Sequence, residues 1–355
     1  MTFAPSASPL RVAATLLLAL AGAGAALWLH LPLPWFTGPL LAVATVSMAG
    51  GRVAGPPHAR DLGQWLVGTA LGLYFSPEVV REIGRLAPWI ALSTLFMIAL
   101  GLIGAPLLRR LSGESGSTVF FASAIGGAPE MAAQAERYQA DGARVDRVAA
   151  SHSLRLMLVS LIVPFALQWA GVQGAAPYAS AARDFNPAGL AVLCAATAAG
   201  AVVLQRLRAP NVSMIGPLLV AALLTSQGVH LSAMPAPLTN GGQLLIGIAL
   251  GVRFAPEFFR AAPRYLAAVT MVTVFYLAVC AVFGTWLAGP SGLALATAVL
   301  ASTPGGIGEM AITAKVLGLG APIVTAFHGI RMIIVVLTIG PLYRLLRPLL
   351  VRAGR

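Results

Sequence analysis

Long apolar runs recur along almost the whole chain, from Val12 to Tyr343. Several of them reach the ~20 residues that an α-helix needs to span the hydrocarbon core of a bilayer. Charged residues make up only 10% of the 355, whereas soluble domains average about 25%. Because no stretch is long and polar enough to form a separate soluble domain, the sequence predicts an all-α polytopic membrane protein.

The net charge of +12 comes largely from arginines in short loops between the apolar runs, such as Arg109, Arg110, Arg206 and Arg208. This distribution is typical of cytoplasmic loops under the positive-inside rule. It does not indicate a solvated nucleic-acid-binding face, so we expect no direct nucleic-acid partner.

Cysteine spacing and short motifs give no sign of enzyme chemistry. Cys194 and Cys280, the two cysteines, both lie inside apolar segments. No spacing typical of a metal site or a nucleotide-binding loop is present. We therefore predict no catalytic residue, no metal and no cofactor.

The sequence is duplicated internally. ASAIGGAPEMA at residues 122–132 recurs as ASTPGGIGEMA at 301–311, with seven of eleven positions identical. GQWLVGTALGLYFSPE at 63–78 recurs as GQLLIGIALGVRFAPE at 242–257, with ten of sixteen identical and the same offset of 179. Several motifs in one order indicate a duplication. We predict a first transmembrane repeat over 12–170, an inter-repeat loop over 171–186 and a second repeat over 187–345, in one membrane domain.

The start of the first repeat has a second interpretation. Arg11 followed by the apolar residues 12–29 could also be a secretory signal peptide. The equivalent segment of the second repeat, residues 187–204, is internal and cannot be one. We therefore predict that residues 12–29 form the first transmembrane helix.

Loop charges predict that the two repeats are inverted in the membrane. In the first repeat the loop after the second segment is basic, whereas in the second repeat Arg206 and Arg208 follow the first segment. Basic loops belong in the cytoplasm. Inversion needs an odd number of crossings per repeat, yet each repeat has six apolar segments. We expect the short, glycine-rich segment around the glutamate to enter and return.

This gives about ten crossings plus two broken or re-entrant helices, with both termini cytoplasmic in a bacterial inner membrane. If the glycine-rich segment crosses fully, the repeats are parallel instead. Inverted repeats with broken helices are the usual plan of secondary transporters.

The paired glycines and glutamates are the principal candidate site. Gly126, Gly127, Gly305 and Gly306 either open the helix towards a substrate or ion, or allow close helix packing. Glu130 and Glu309 are predicted to bind H⁺ or Na⁺ and to meet near the midplane, since ionisable groups inside a membrane are functional candidates by default.

Buried polar residues on neighbouring segments give the alternatives. Arg155 and Arg331 could pair with the glutamates or clamp an anion. His152 and His328 each lie three residues before one of these arginines, on the same helix face. Gln64 and Gln243 occupy matched positions and either line a cavity or form hydrogen bonds between helices.

The repeated order GPLL, GQ-x-LxG-x-ALG-xx-F-x-PE and AS-xx-GG-xx-EMA resembles the bacterial AbrB-duplication membrane proteins. The resemblance covers roughly residues 12–343 and implies two inherited labels, AbrB-type regulator of gene expression and ammonia monooxygenase. The residues favour neither activity directly: there is no helix-turn-helix pattern and no His/carboxylate cluster for copper or iron. By fold analogy, the plan is similar to cation/proton antiporters and bile-acid transporters.

The sequence therefore predicts an ion-coupled secondary transporter or exporter of a small solute, with the lipid bilayer as its other partner. A membrane protein that regulates gene expression by sensing or moving a metabolite is the alternative, and a monooxygenase-type enzyme is a third. The substrate, the coupling ion and the presence of a homo-oligomer stay open.

Overall fold

The structure is a computed structural model that describes residues 8–175, 178, 180–181, 184–256, 258 and 262–352. Regular structure in this part of the chain is helical throughout, as predicted. The helices are α1 (Pro9–Trp28), α2 (Pro34–Met48), α3 (Ala59–Gly72), α4 (Pro77–Arg85), α5 (Ala87–Ser112), α6 (Gly116–Ser123), α7 (Ala128–Arg137), α8 (Val145–Trp169), α9 (Pro187–Arg206), α10 (Val212–Ser226), α11 (Ala236–Gly251), α12 (Pro263–Ser291), α13 (Leu295–Ala301), α14 (Ile307–Val316) and α15 (Ala321–Arg352), with a 3₁₀ turn at Gln139–Asp141.

Six of the described helices are long and apolar enough to cross a bilayer: α1, α5, α8, α9, α12 and α15. The chain is therefore a polytopic helical membrane protein. Four more helices, α2, α3, α10 and α11, have 14 to 16 residues and span roughly 21–24 Å at ~1.5 Å per residue. The predicted total of about ten crossings stays a prediction.

The chain packs into two compact units, and each takes segments from both halves of the sequence. Unit 1 comprises Met1–Glu78, Pro164–Gly171 and Tyr178–Ala261, and unit 2 comprises Val79–Val163, Val172–Pro177 and Ala262–Arg355. Unit 1 thus contains α1–α3, α9–α11 and the end of α8 from Pro164, whereas unit 2 contains α5–α7, the rest of α8 and α12–α15. The predicted boundaries of the two repeats remain statements about the sequence.

In unit 1, backbone turns repeat between the halves. His30 and Leu33, between α1 and α2, have φ of 52° and 50°. Arg208 and Asn211, between α9 and α10, lie 178 positions later and have φ of 55° and 47°. The left-handed region is uncommon for residues with a Cβ. Its recurrence at equivalent positions shows that the duplication extends to backbone geometry.

Helices of unit 1 pack reciprocally through glycines. A Cβ at Gly68 of α3 would lie 2.6 Å from the carbonyl oxygen of Met214 in α10. A Cβ at Gly247 of α11 would lie 2.6 Å from the carbonyl oxygen of Phe36 in α2. Gly247 is the equivalent of Gly68, and Met214 that of Phe36. Each half therefore packs on the other through the same contact, which a side chain would obstruct.

Unit 2 has one end that is rich in arginine. The Tyr265 hydroxyl donates to the Arg147 carbonyl oxygen at 3.0 Å, and Arg264 Nε donates to the Leu111 carbonyl oxygen at 3.0 Å. These contacts bring together the end of α5 and the starts of α8 and α12. We call this the basic end of unit 2.

The end of α15 also lies at the basic end, where the hydroxyls of Ser117 and Tyr343 are 2.7 Å apart. The backbone at Gly116 lies directly against Leu350. At the far end of α8 and α12, the Gly174 N–H donates to the Leu317 carbonyl oxygen at 2.9 Å. This contact marks the second end of unit 2, opposite the basic end along α12.

Candidate functional site

The first glycine-glutamate segment forms a hairpin of α6 and α7, both in unit 2. Ser115 Oγ, just before α6, donates to the Gly142 carbonyl oxygen at 2.7 Å. The Arg144 N–H donates to Thr118 Oγ1 at 3.0 Å. The chain therefore leaves the basic end at the start of α6 and returns to the same end after α7.

The second segment, α13 and α14, closes in the same way. The Gly320 N–H donates to Thr297 Oγ1 at 3.3 Å. Thr297 is the equivalent of Thr118 at an offset of 179, whereas Gly320 matches Arg144 at an offset of 176. The second hairpin is three residues shorter, and the difference falls where the first one has its 3₁₀ turn.

The carbonyl groups at the end of α6 have no partners within that helix and are bound by side chains instead. His152 Nε2 bonds to the Phe121 carbonyl oxygen at 2.9 Å, and Ser151 Oγ donates to that of Ala122 at 3.1 Å. The Tyr276 hydroxyl of α12 donates to the Ser123 carbonyl oxygen at 3.1 Å. A helix end buried in an apolar surrounding needs such donors.

Arg155 completes this set of donors and fixes the state of His152. Its guanidinium donates to the Gly126 carbonyl oxygen at 3.4 Å and to His152 Nδ1 at 2.8 Å. Because a carbonyl only accepts and a guanidinium only donates, His152 must carry its proton on Nε2 and none on Nδ1. His152 is therefore a neutral residue that positions Arg155, and a second proton would face the guanidinium.

Arg331 takes the same position in the second hairpin. It donates to the Thr303 carbonyl oxygen at 2.7 Å and to that of Gly305 at 2.8 Å. His328, one helix turn earlier, bonds through Nδ1 to the Val324 carbonyl oxygen of its own helix at 2.9 Å. Both arginines thus place a positive charge at the negative end of a broken helix, where a cation is favourable.

Each glutamate lies at the opposite, positive pole of the break. Glu130 is the third residue of α7 and its Oε2 lies directly over Gly127, the N-cap. Glu309 has the same relation to Gly306 at the start of α14. A carboxylate at the third position of a helix complements the dipole and the free N–H groups of the first turn.

This arrangement explains the second glycine of each pair. Gly127 and Gly306 both have negative φ, −71° and −79°, so backbone conformation does not require glycine. A Cβ at either position would occupy the space of the glutamate carboxylate. The first glycines, Gly126 and Gly305, face the side chains of Met131 and Met310.

The two breaks come together in unit 2. A Cβ at Gly127 would lie 2.7 Å from Met332 Cε in α15, and one at Gly306 would lie 3.4 Å from Leu156 Cδ2 in α8. Met332 and Leu156 follow Arg331 and Arg155 directly. Each arginine helix therefore binds the break of its own half and contacts the break of the other half.

Gln64 and Gln243 belong to unit 1, where both are buried. They flank the crossing of α3 and α11, at which a Cβ on Gly63 would lie 2.6 Å from the Gly242 carbonyl oxygen. Their assignment to a substrate cavity stays a prediction.

The sequence predicts the break and singles out the glutamates and arginines, whose binding roles stay predictions, but it does not single out Ser151 and Tyr276. Ser151 directly precedes His152, and a hydroxyl beside two polar residues in an apolar helix is a signal that could have been used. Tyr276 carries no such signal, because its role depends on the packing of α12 against α6. The predicted meeting of Glu130 and Glu309 also stays a prediction.

These features define a polytopic helical membrane protein with two related hairpins that are broken at a glycine pair. The family model described as "Transition state regulatory protein AbrB" matches residues 35–347. The chain belongs to this AbrB family, as its repeated motifs predicted.

Two relatives resemble the chain over most of its length. "Putative regulator AbrB" of Escherichia coli (strain K12) is 26% identical over 315 residues, which cover 88% of this chain and 89% of the relative. "Uncharacterized protein YhjN" of Bacillus subtilis (strain 168) is 26% identical over 304 residues, which cover 81% and 78% respectively. The similarity thus extends across both halves.

Proposed function

We propose that this protein is an ion-coupled secondary transporter or exporter of a small solute. The observation that carries the proposal is the meeting of two broken helices in unit 2, each with a glutamate at one side of the break and an arginine at the other. Charged groups inside a membrane are costly and usually serve transport or proton transfer. Broken helices at the interface of two repeats are a typical site of alternating access.

The directions of equivalent helices support inverted repeats. In unit 2, α8 starts at the basic end, whereas its equivalent α15 ends there. Likewise α5 ends at the basic end and its equivalent α12 starts there. Each hairpin returns to the end from which it began. Under the positive-inside rule the basic end would face the cytoplasm of a bacterial inner membrane, together with the end of α15.

The glutamates are the proposed coupling groups. Glu130 and Glu309 are half-buried, so neither is sealed inside the protein. Each carboxylate lies at a helix N-terminus, where the free N–H groups and the helix dipole favour a bound anionic group. Binding of H⁺ or Na⁺ would neutralise the carboxylate and change its interaction with the break. We infer that this change links ion binding to the movement of solute.

Flux measurements on matched variants test this function. The first step compares the solutes retained and released by cells that express the wild type, the Glu130→Gln variant or the Glu309→Gln variant. A solute that differs is then followed in proteoliposomes at several pH values, with Glu136→Gln as the control because Glu136 is an exposed residue of α7. We expect both site variants to lose pH-dependent flux. Undiminished, pH-independent flux in both would reject the coupling role.

The name of the Escherichia coli relative, a putative regulator, favours a second candidate, a membrane protein with an indirect role in gene expression. Such a protein would sense or move a metabolite. Transcript profiles of a deletion strain distinguish the two cases. Rescue by a transport-deficient Glu309→Gln variant would favour sensing, whereas failure of rescue would favour transport.

The monooxygenase label implies metal chemistry, which the described residues do not favour: they hold no group of three or more His, Cys, Asp or Glu side chains placed to bind a metal. Metal analysis of the purified protein is the direct check. Stoichiometric copper or iron would contradict our proposal that the protein is not an enzyme.

A further inference from the structure

Arg155 and Arg331 are buried cations, with 3% and 5% of their surface exposed. A guanidinium stays protonated under nearly all conditions, so burial cannot be relieved by loss of the charge. An isolated buried charge is costly unless hydrogen bonds and a counter-charge compensate it. What compensates these two charges therefore indicates what the site binds.

The groups that contact the two guanidiniums are neutral. Arg331 donates to two backbone carbonyls, and Arg155 donates to one carbonyl and to a neutral histidine. Within the described part of the chain, no carboxylate forms an ion pair with either arginine. The helices of the two arginines also meet at the breaks, because Leu156, next to Arg155, contacts the second break at Gly306 and Met332, next to Arg331, contacts the first break at Gly127.

The broken helices offset only part of this charge. A helix C-terminus carries roughly half a negative charge, so two such ends balance about one of the two positive charges, while Glu130 and Glu309 lie across the breaks at helix N-termini of opposite partial charge. Arg155 is also the less satisfied of the pair. Its Nε is buried and has no acceptor among the described residues, and its carbonyl bond of 3.4 Å is at the long limit.

We propose that Arg155 and Arg331 together bind a carboxylate group of a small organic anion. The planar guanidinium presents its donors as a fork that matches a carboxylate. The anion would supply the missing negative charge and an acceptor for Arg155. The inference rests on the proposed function, because it assigns the substrate class of the same site.

Binding of a carboxylate probe to the purified full-length protein tests the assignment. Succinate is compared with succinamide, its neutral diamide, and with sodium chloride at equal ionic strength. Affinity is measured by calorimetry, and the melting temperature is followed because a ligand of the folded state stabilises it. We expect saturable binding of succinate alone. No binding of succinate, or equal binding of succinamide, would overturn the assignment.

Variants then connect this binding to the two arginines. Arg155→Gln and Arg331→Gln should each weaken succinate binding about tenfold or more. Arg155→Lys keeps the charge and loses the fork, so it should fold if the glutamine variant does not and should still bind more weakly. Arg85→Gln, which removes an exposed cation paired with Glu82, is the matched control. Unchanged affinity in the Arg155 and Arg331 variants would overturn the proposal.

The two proposals fail in different ways. Glutamate-dependent flux in a protein that binds no carboxylate would overturn the anion site and leave the transporter. Arginine-dependent carboxylate binding in a protein whose flux ignores Glu130 and Glu309 would leave the anion site and reject ion coupling.

Discussion

Asp141 and Arg347 form an ion pair through two hydrogen bonds, of 2.6 and 2.8 Å, although 206 positions separate them in the sequence. Tyr343 donates a further bond to the same carboxylate at 3.1 Å, and its hydroxyl also contacts Ser117. The group ties the 3₁₀ turn of the first hairpin to the last helix at the basic end of unit 2.

The second hairpin and α8, which are the equivalents of the first hairpin and α15, have no matching group among the described residues. At the matching positions, Ala296 replaces Ser117, Leu167 replaces Tyr343 and Gly171 replaces Arg347. The turn that carries Asp141 is the part by which the second hairpin is shorter. The duplicated hairpins are therefore fastened differently, and only the first has this ion pair among its described contacts.

Asp141→Asn should destabilise the protein at neutral pH. The Arg347 side chain holds the pKa of Asp141 below its ordinary value of 3.8. A lowered pKa in the folded state means that the ionised carboxylate stabilises the fold, fully above that ordinary value and less as the pH falls through the folded pKa. Melting temperatures in detergent, measured from pH 7 to pH 3, check this.

The difference between the wild type and Asp141→Asn should be largest near neutral pH and should close in acid. Arg347→Gln should give the same profile, since it removes the other partner. Glu136→Gln, at an exposed position of the same hairpin, is the control. A constant difference between wild type and Asp141→Asn across the pH range would show that the ion pair is not its cause.

Gly127→Ala and Gly306→Ala should each displace a glutamate. The new methyl group would occupy the space of the carboxylate of Glu130 or Glu309, and crowding of this kind typically costs about 1–3 kcal/mol. Gly329→Ala in α15 is the control, because a Cβ there meets nothing within 4 Å and alanine favours a helix by about 0.5–1 kcal/mol. Chemical unfolding in detergent compares the three variants. Equal stability of all three would contradict the position of the carboxylates.

Only the part of the site that depends on short sequence patterns could be predicted from the sequence. Two glycines, a glutamate three or four positions on and an apolar surrounding are enough to predict a broken helix. The sequence leaves the partner of each charge open, because Arg155 could pair with a glutamate or clamp an anion. Once the hairpin forms, Glu130 is held by its own helix N-terminus, which frees Arg155 for the Gly126 carbonyl.

Contacts over long sequence separations were beyond the same reasoning. Tyr276 meets Ser123 across 153 positions, and Arg347 meets Asp141 across 206. Neither residue belongs to a repeated motif, so the comparison of the two halves gave no signal. The inverted orientation of the two halves is predicted from loop charges. This needs no knowledge of long-range contacts, because the positive-inside rule applies to each loop separately. Glu257 ends the second GQ motif in the sequence APE, which predicts that it caps the start of an interfacial helix, but it lies outside the described residues.

Tyr276→Phe should lower the free energy of unfolding by destabilising the break of the first hairpin. The variant removes the hydroxyl that donates to the Ser123 carbonyl oxygen, and a buried acceptor left without a donor costs about 1–3 kcal/mol. Thr285→Ala in the same helix is the control, because its hydroxyl is exposed and bonds to the Ala281 carbonyl of its own helix. Unfolding free energies should fall for Tyr276→Phe alone. An equal effect of both variants would argue against a special role for Tyr276.

The ends of the two hairpins should lie on opposite sides of the membrane. Ala140 is exposed at the end of the first hairpin and Val316 at the end of the second. In a full-length variant without Cys194 and Cys280, a cysteine at either position reports its side through an impermeant maleimide. We expect Val316→Cys to react in intact spheroplasts and Ala140→Cys to react only after the membrane is opened, because the basic end should face the cytoplasm. Labelling of both from the same side would reject the inverted arrangement, whichever solute the protein moves.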